Sequence, residues 1–232
     1  MPVHPTIVFD LDGTLADTAG DLMGALNWVL RRDAIAPLPV GQARSLLGAG
    51  GRALIRRGYA AAGHALSEKR LEEVFRDFLA YYEAHIVDHS ALFPGALEAL
   101  DRLAARGCGL AVCTNKMEHA ARKLLRELGV GERFRAICGQ DTFAQSKPDA
   151  RALTGTIALA GGEAARAVMV GDSITDIATA RAAGVPVVAV DFGYTDRPVA
   201  ELDPDLVISH FDDLFEAVGA LLAAGSPTLT SG

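Results

Sequence analysis

Short apolar runs, halted by polar residues or glycine and mostly followed by a helical pattern, recur along this chain. They are Ile7-Val8-Phe9, Leu110-Ala111-Val112-Cys113, Arg135-Ala136-Ile137-Cys138, Ala167-Val168-Met169-Val170, Val187-Val188-Ala189-Val190 and Asp205-Leu206-Val207-Ile208. Runs without polar alternation suit strands covered on both faces. Between them lie helical stretches, one marked by Leu97, Leu100 and Leu103, then His119 to Leu128, Ala150 to Leu159 and Ile174 to Ala183, and Leu214 to Leu222 follows the last run. Gly107, Gly129, Gly161-Gly162 and Gly184 stand where helices stop. Strand and helix in alternation predict an α/β fold, a doubly wound, Rossmann-like parallel sheet.

One stretch breaks the alternation. From Asp17 to Asp88 every pattern is helical. Leu22, Ala25, Leu26, Val29 and Leu30 form one stripe, with Asp17 and Thr18 placed to cap that helix and Asp21 to meet its dipole. Ala36-Pro37-Leu38-Pro39 ends it. Val40 to Leu47 reads as a short helical stretch before the cluster Gly48-Ala49-Gly50-Gly51, and Leu66 to Glu83 as a longer helix. The first strand belongs to the sheet by character, so this segment is an insertion. The expected domains are a catalytic core of residues 1–16 plus 89–232 and an all-helical unit of residues 17–88. Trp28, Phe75 and Phe78 read as the core of that unit, and the tail from Ala224 as frayed.

Half of the 232 residues are hydrophobic and the net charge is −7. That balance suits a large buried core and lacks the basic footprint of a nucleic-acid binder. Cys108, Cys113 and Cys138 are odd in number and two lie in apolar runs, so they read as buried thiols of a reducing compartment. The opening residues do not resemble a signal peptide, no apolar run is long enough to span a membrane, and the cytoplasm is the expected location.

In sheets of this kind, sites form beyond the carboxyl ends of the strands. Three polar groups follow strands directly: Asp10 and Asp12, Thr114-Asn115, and Gly171-Asp172-Ser173. If extended geometry persists through Asp12, it points the same way as Asp10, and two converging carboxylates call for a hard divalent cation. Lys147 lies in the loop before a helix, with Pro148 an early helical residue, and Asp176 lies four residues after Asp172. Alone, each has a plainer reading: a capping turn, a helix cap or a solvated charge. His64, His85, His89 and His119 have no ligand-like spacing.

Together these residues resemble the haloacid-dehalogenase superfamily of phosphotransferases. The resemblance rests on Asp10-x-Asp12-x-Thr14, on the strand ending in Thr114, on Lys147-Pro148 and on Gly171-Asp172-Ser173-x-x-Asp176. Within it the chain is most similar to phosphoglycolate phosphatases, through Leu15-Ala16-Asp17-Thr18, Arg44 through Gly50, Phe93-Pro94-Gly95, Thr114-Asn115-Lys116 and Asp191-Phe192-Gly193-Tyr194. The surroundings of Lys147 and the stretch Gly139-Gln140-Asp141 depart from the family pattern.

The resemblance implies a Mg2+-dependent phosphomonoesterase acting on a small phosphorylated metabolite, 2-phosphoglycolate first, as a monomer or homodimer. Asp10 would be the nucleophile and Asp12 the acid/base. Thr114, Asn115 and Lys147 would hold the phosphate. Mg2+ would be held by Asp10, the backbone carbonyl of Asp12 and Asp172, with Asp176 acting directly or through water. The inserted helices would be a cap that closes over the site, and Arg44 and Arg52 the candidates to meet a substrate carboxylate, unless both are ordinary surface arginines. A hexose-phosphate mutase or a pyrophosphatase would use the same residues. A receiver-like or dinucleotide-binding module is the non-enzymatic reading, but no Gly-x-Gly-x-x-Gly follows the first strand.

Overall fold

The computed structural model describes residues 4–42, 46–48, 50–195 and 197–224. Strands β1 (Thr6–Phe9), β4 (Gly109–Cys113), β5 (Ala136–Cys138), β6 (Ala167–Gly171), β7 (Val187–Val190) and β8 (Leu206–Ile208) form one parallel sheet in the order β5-β4-β1-β6-β7-β8. A second, two-stranded antiparallel sheet pairs β2 (Ala16–Asp17) with β3 (Ala91–Leu92). Helices α4 (Ala96–Ala105), α5 (Glu118–Glu127), α6 (Ala150–Leu159), α7 (Ile174–Ala183) and α8 (Leu214–Ala224) flank the large sheet.

Why both faces are covered is visible in β1. Its side chains alternate, so Ile7 and Phe9 pack into one apolar cluster and Val8 into the other. All three are fully buried, and each side chain taken from water contributes about 1.5–3 kcal/mol. β1 is also the topological centre, with β4 on one side and β6 on the other. Phe9 is level with Val112 and with Val170. The next residues of the three strands therefore emerge side by side at one edge.

Between β2 and β3 lie α1 (Ala19–Arg32), α2 (Gly51–Ala61) and α3 (Glu68–Ala84). They pack through Leu26, Leu30, Leu54, Tyr59, Leu71 and Phe78, all buried. The expected helical stretch from Val40 to Leu47 is a 3-10 turn over Val40–Gln42, with residues 43–45 outside the described residues. Trp28 is only partly buried and stacks on Tyr81 at 4.9 Å.

The start of α1 meets expectation in part. The Thr18 side chain makes no capping bond, and its hydroxyl donates to Asp12 Oδ1 at 2.7 Å. Asp17 does cap, its Oδ1 accepting from Ala19 N–H at 3.2 Å, and Tyr194, after β7, shares the task. Its hydroxyl accepts from Thr18 N–H and Ala19 N–H at 2.6 and 2.9 Å and donates to Asp17 Oδ1 at 2.7 Å. Asp21 stands in the first turn, as expected. It is buried and also accepts from the N–H of His89 and of Ser90 and from the Ser90 hydroxyl, tying the entry of the helical block to its exit. No described helix is long and apolar enough to cross a membrane.

Candidate active site

The edge beyond β1, β4 and β6 carries the candidate residues. β1 ends at Phe9, but the Asp10 N–H still donates to Val170 O at 2.9 Å, so its backbone stays in register with β6. The chain then turns sharply, with Thr14, Leu15 and Ala16 all donating to the Leu11 carbonyl. Gly13 takes φ +83° in this turn. A Cβ there would stand 2.5 Å from Asp172 Oδ2, so only glycine fits.

Asp12 lies within the turn, bridged to Ala16. It lines the same cavity as Asp10, but its carboxylate has partners of its own. Oδ2 lies 2.9 Å from Lys116 Nζ and Oδ1 accepts from Thr18. The acidic group that could hold a metal is Asp10, Asp172 and Asp176, each with an oxygen within 4.8 Å of the others. The carboxylate of Asp12 is not among them.

Three buried acids in one place repel each other. Burial, then the charges of Asp176 and Asp10, push Asp172 well above the usual carboxylate range. Burial is also the main influence on Asp10, raising it to about 6 against the opposing pull of Lys147. Lys147 is 4% exposed, with Nζ 2.6 Å from Asp176 Oδ1 and 2.9 Å from Asp10 Oδ1. Burial alone would lower its pKa, but the two carboxylates outweigh it and hold the ammonium firmly charged. The approach to Asp10 is an ion-pair contact without hydrogen-bond geometry, so Asp10 Oδ1 remains buried with no donor.

Asp172 is held by the Thr14 hydroxyl at 2.9 Å and the Tyr194 N–H at 2.7 Å. Asp176 forms a capping box with Ser173, its Oδ2 accepting from the Ser173 hydroxyl at 2.6 Å. Lys147 lies two residues before Asp149, which caps α6. The expectation that Pro148 is an early helical residue is therefore wrong, and Lys147 reaches the acids from a loop. Thr114 N–H donates to Cys138 O at 3.0 Å, and its hydroxyl accepts from Lys116 N–H at 3.2 Å. Asn115 Nδ2 donates to Lys147 O at 3.1 Å, while Asn115 Oδ1 is buried with no partner.

A cavity opens above these residues, with about 60 Å³ of space for the centres of water-sized molecules. Its floor is Asp10, Asp12, Thr114 and Asn115, and its opposite wall is Leu47, Leu54, Phe75, Phe78 and Tyr82 of the helical segment. Phe75 and Phe78 are thus both packing residues and cavity wall. Gly48 and Gly50 come close to the core. A Cβ on either would stand 3.2 Å from a backbone oxygen, of Tyr194 and of Asn115 respectively.

The structure does not bring Arg52 into the cavity. Its guanidinium pairs with Glu72 at 2.7 Å and lies 3.9 Å from the centre of the Phe75 ring. Arg44 lies outside the described residues. His85 pairs with Asp88, and His119 with Glu83, both away from the acids.

Lys116, Tyr82 and Tyr194 were not legible as site residues. Lys116 is 8% exposed, buried against Asp12 and the Tyr82 hydroxyl. Its position after Thr114-Asn115 was the one available signal. Nothing in the sequence pairs it with Tyr82, 34 residues earlier.

The family description haloacid dehalogenase-like hydrolase matches residues 7–190. The chain is 51% identical over 211 residues to a phosphoglycolate phosphatase of Mesorhizobium japonicum, covering 91% of this chain and 93% of that protein. It is 46% identical over 219 residues to a phosphoglycolate phosphatase of Caulobacter vibrioides, covering 94% and 92%. A crystal structure of a predicted phosphoglycolate phosphatase from Haemophilus somnus 129pt superposes with a TM-score of 0.85 at 29% identity, over 92% of this chain and 97% of that one.

Proposed function

The chain belongs to the haloacid dehalogenase-like hydrolase family and is a phosphatase, and we propose that it hydrolyses 2-phosphoglycolate through a covalent phosphoryl-enzyme on Asp10. The observation that carries this reading is the Asp10 carboxylate itself. It stands at the central strand end, with a buried oxygen that no donor satisfies, facing a cavity floored by Thr114 and Asn115. The relatives named phosphoglycolate phosphatase support the substrate.

An Asp10 oxygen attacks phosphorus, and the bond from phosphorus to the leaving alkoxide breaks. Asp12, on the leaving-group side and protonated on entering this step, gives that alkoxide its proton and is left as the carboxylate. It then takes a proton from the water that attacks the aspartyl phosphate, which releases inorganic phosphate and restores Asp10. The Thr114 hydroxyl, whose oxygen already accepts from Lys116 N–H, has its own proton free for a phosphate oxygen. The Asn115 backbone N–H and Lys147 complete the grip on the phosphate and its developing charge.

A hard divalent cation fits the acidic group. All its donors are carboxylate oxygens, they lie within 4.8 Å of each other, and Asp10 Oδ1 lacks a donor. Asp10, Asp172 and the Asp12 carbonyl would hold Mg2+, with Asp176 beside them. When bound, the cation screens the repulsion between the Asp10 carboxylate and the phosphate dianion. The helices of residues 17–88 act as the cap, excluding water while the phosphoryl-enzyme stands.

Phosphate release from a panel of phosphorylated metabolites with Mg2+ tests the reading, with Asp10→Asn as the blank. The expected result is preferred turnover of 2-phosphoglycolate and none above background in the blank. Preference for a hexose phosphate would sink the substrate assignment. Normal turnover in a folded Asp10→Asn protein would sink the covalent step.

A further inference from the structure

The chemistry above leaves one buried cation without a role. Lys116 Nζ sits between the core and the cap, 2.9 Å from Asp12 Oδ2 and 3.0 Å from the Tyr82 hydroxyl. It also lies 4.5 Å from the centre of the Tyr82 ring. Among the described residues that line the cavity it is the one cationic side chain. An ammonium has three donors, and the described contacts account for two of them. Lys147 is different: it stands between two carboxylates, Asp10 and Asp176. Arg52 is spent on Glu72 outside the cavity.

We propose that Lys116 receives the carboxylate of the substrate and so selects phosphate esters that carry a second anion next to the ester oxygen. This assignment rests on the phosphoglycolate reading and adds to it the residue that reads the alcohol.

Two further observations lead there. The wall facing Lys116 is apolar, built of Leu47, Leu54, Phe75 and Phe78, and a carboxylate brought into such surroundings loses its hydration unless a charged donor replaces it. Lys116 also touches Asp12, the residue on the leaving-group side. In 2-phosphoglycolate the carboxylate is one methylene away from the ester oxygen. A group that touches the acid is therefore within reach of the carboxylate as well. Tyr82 comes from the cap and Lys116 from the core, so the ammonium is held only where the two meet.

The test measures discrimination, because any effect of Lys116 exerted through Asp12 falls on all substrates alike. kcat/KM is measured on 2-phosphoglycolate and on ethyl phosphate, which lacks the carboxylate, for the wild-type protein, Lys116→Met and Tyr82→Phe. The expected result is a wild-type preference for 2-phosphoglycolate that drops by roughly 10- to 100-fold in Lys116→Met, the range of one charge-assisted hydrogen bond. In Tyr82→Phe, where the ammonium remains, the preference stays within about threefold of wild type.

Calorimetric binding of both esters to Asp10→Asn and to Asp10→Asn/Lys116→Met gives a readout that needs no turnover. The second protein should lose affinity for 2-phosphoglycolate only. If wild type shows no preference, the substrate reading and the assignment both fall. If the preference and the binding difference survive in Lys116→Met, the assignment alone is overturned.

Discussion

Two lysines are buried at the same sheet edge, and they are held in opposite ways. Lys147 stands between two carboxylates of the core, Asp10 and Asp176, and the helical block takes no part. Lys116 stands between one core carboxylate, Asp12, and the hydroxyl of Tyr82 from the helical block. The first arrangement is closed: charge is balanced within the core, and the groups around it come from neighbouring strand ends whose register is set by the sheet. The second spans two units and keeps a donor in reserve. The difference teaches where each task can reside. Chemistry common to all phosphate esters suits the fixed region, and discrimination between alcohols suits the seam.

The largest effect is expected on the fixed side. Asp10→Asn should lower kcat by roughly 10⁴-fold or more, the scale on which a covalent nucleophile is missed. Steady-state phosphate release measures it, and retention of substantial turnover would break the assignment of chemistry to the strand ends. Chelation of divalent ions should abolish turnover, and added Mg2+ should restore it, with the far-UV circular dichroism unchanged throughout. Activity indifferent to chelator would remove the cation from the site.

Lys147→Met should cost both activity and stability. It leaves Asp10 and Asp176 facing each other in a buried site, and breaking a buried pair costs about 3–5 kcal/mol. Denaturant unfolding of the metal-free protein should show that loss, and a stability within about 1 kcal/mol of wild type would mean the acids are not charge-balanced by this lysine.

Smaller effects sharpen the other side of the comparison. Tyr194→Phe removes the hydroxyl that caps α1 through Thr18 and Ala19, and should destabilise by about 1–2 kcal/mol, read as a lowered Tm. The smallest effect belongs to Asp33 in the helical block. Burial raises its carboxyl, but the hydrogen bonds from Arg70 and Tyr59 outweigh it and leave the pKa below the ordinary 3.8. Its contribution is therefore present above pH 3.8 and fades as pH falls through the lower folded value. Because the pair is partly exposed, Asp33→Asn should cost less than about 1 kcal/mol near neutrality. The difference from wild type should shrink in strong acid, as followed by urea unfolding at a series of pH values.

Much of the core was readable because its signals are local. The strand from Val187 to Val190 and the helix from Ile174 to Ala183 coincide with their apolar runs and glycine stops. Asp10, Thr114 and Asp172 were identifiable because each directly follows an apolar strand, and parallel strands in register must end at one edge. Asp12 was placed on the same side as Asp10, and both line the cavity. Its carboxylate partners, Lys116 and Thr18, were not readable, because they are set by the turn and by a neighbouring strand end. Of the cap of α1, Asp17 was readable, while the part taken by a tyrosine 176 residues away from Thr18 was not.

What the sequence by itself determined is the sheet, its helices and the positions of the strand-end acids, because apolar periodicity and chain punctuation act over a few residues. What only the tertiary structure decided is which charges meet. Lys147 with Asp176, Lys116 with Tyr82 and Tyr194 with Thr18 are separated by 29, 34 and 176 residues. Electrostatic partners depend on distance in space and on the exclusion of water, and neither is written along the chain.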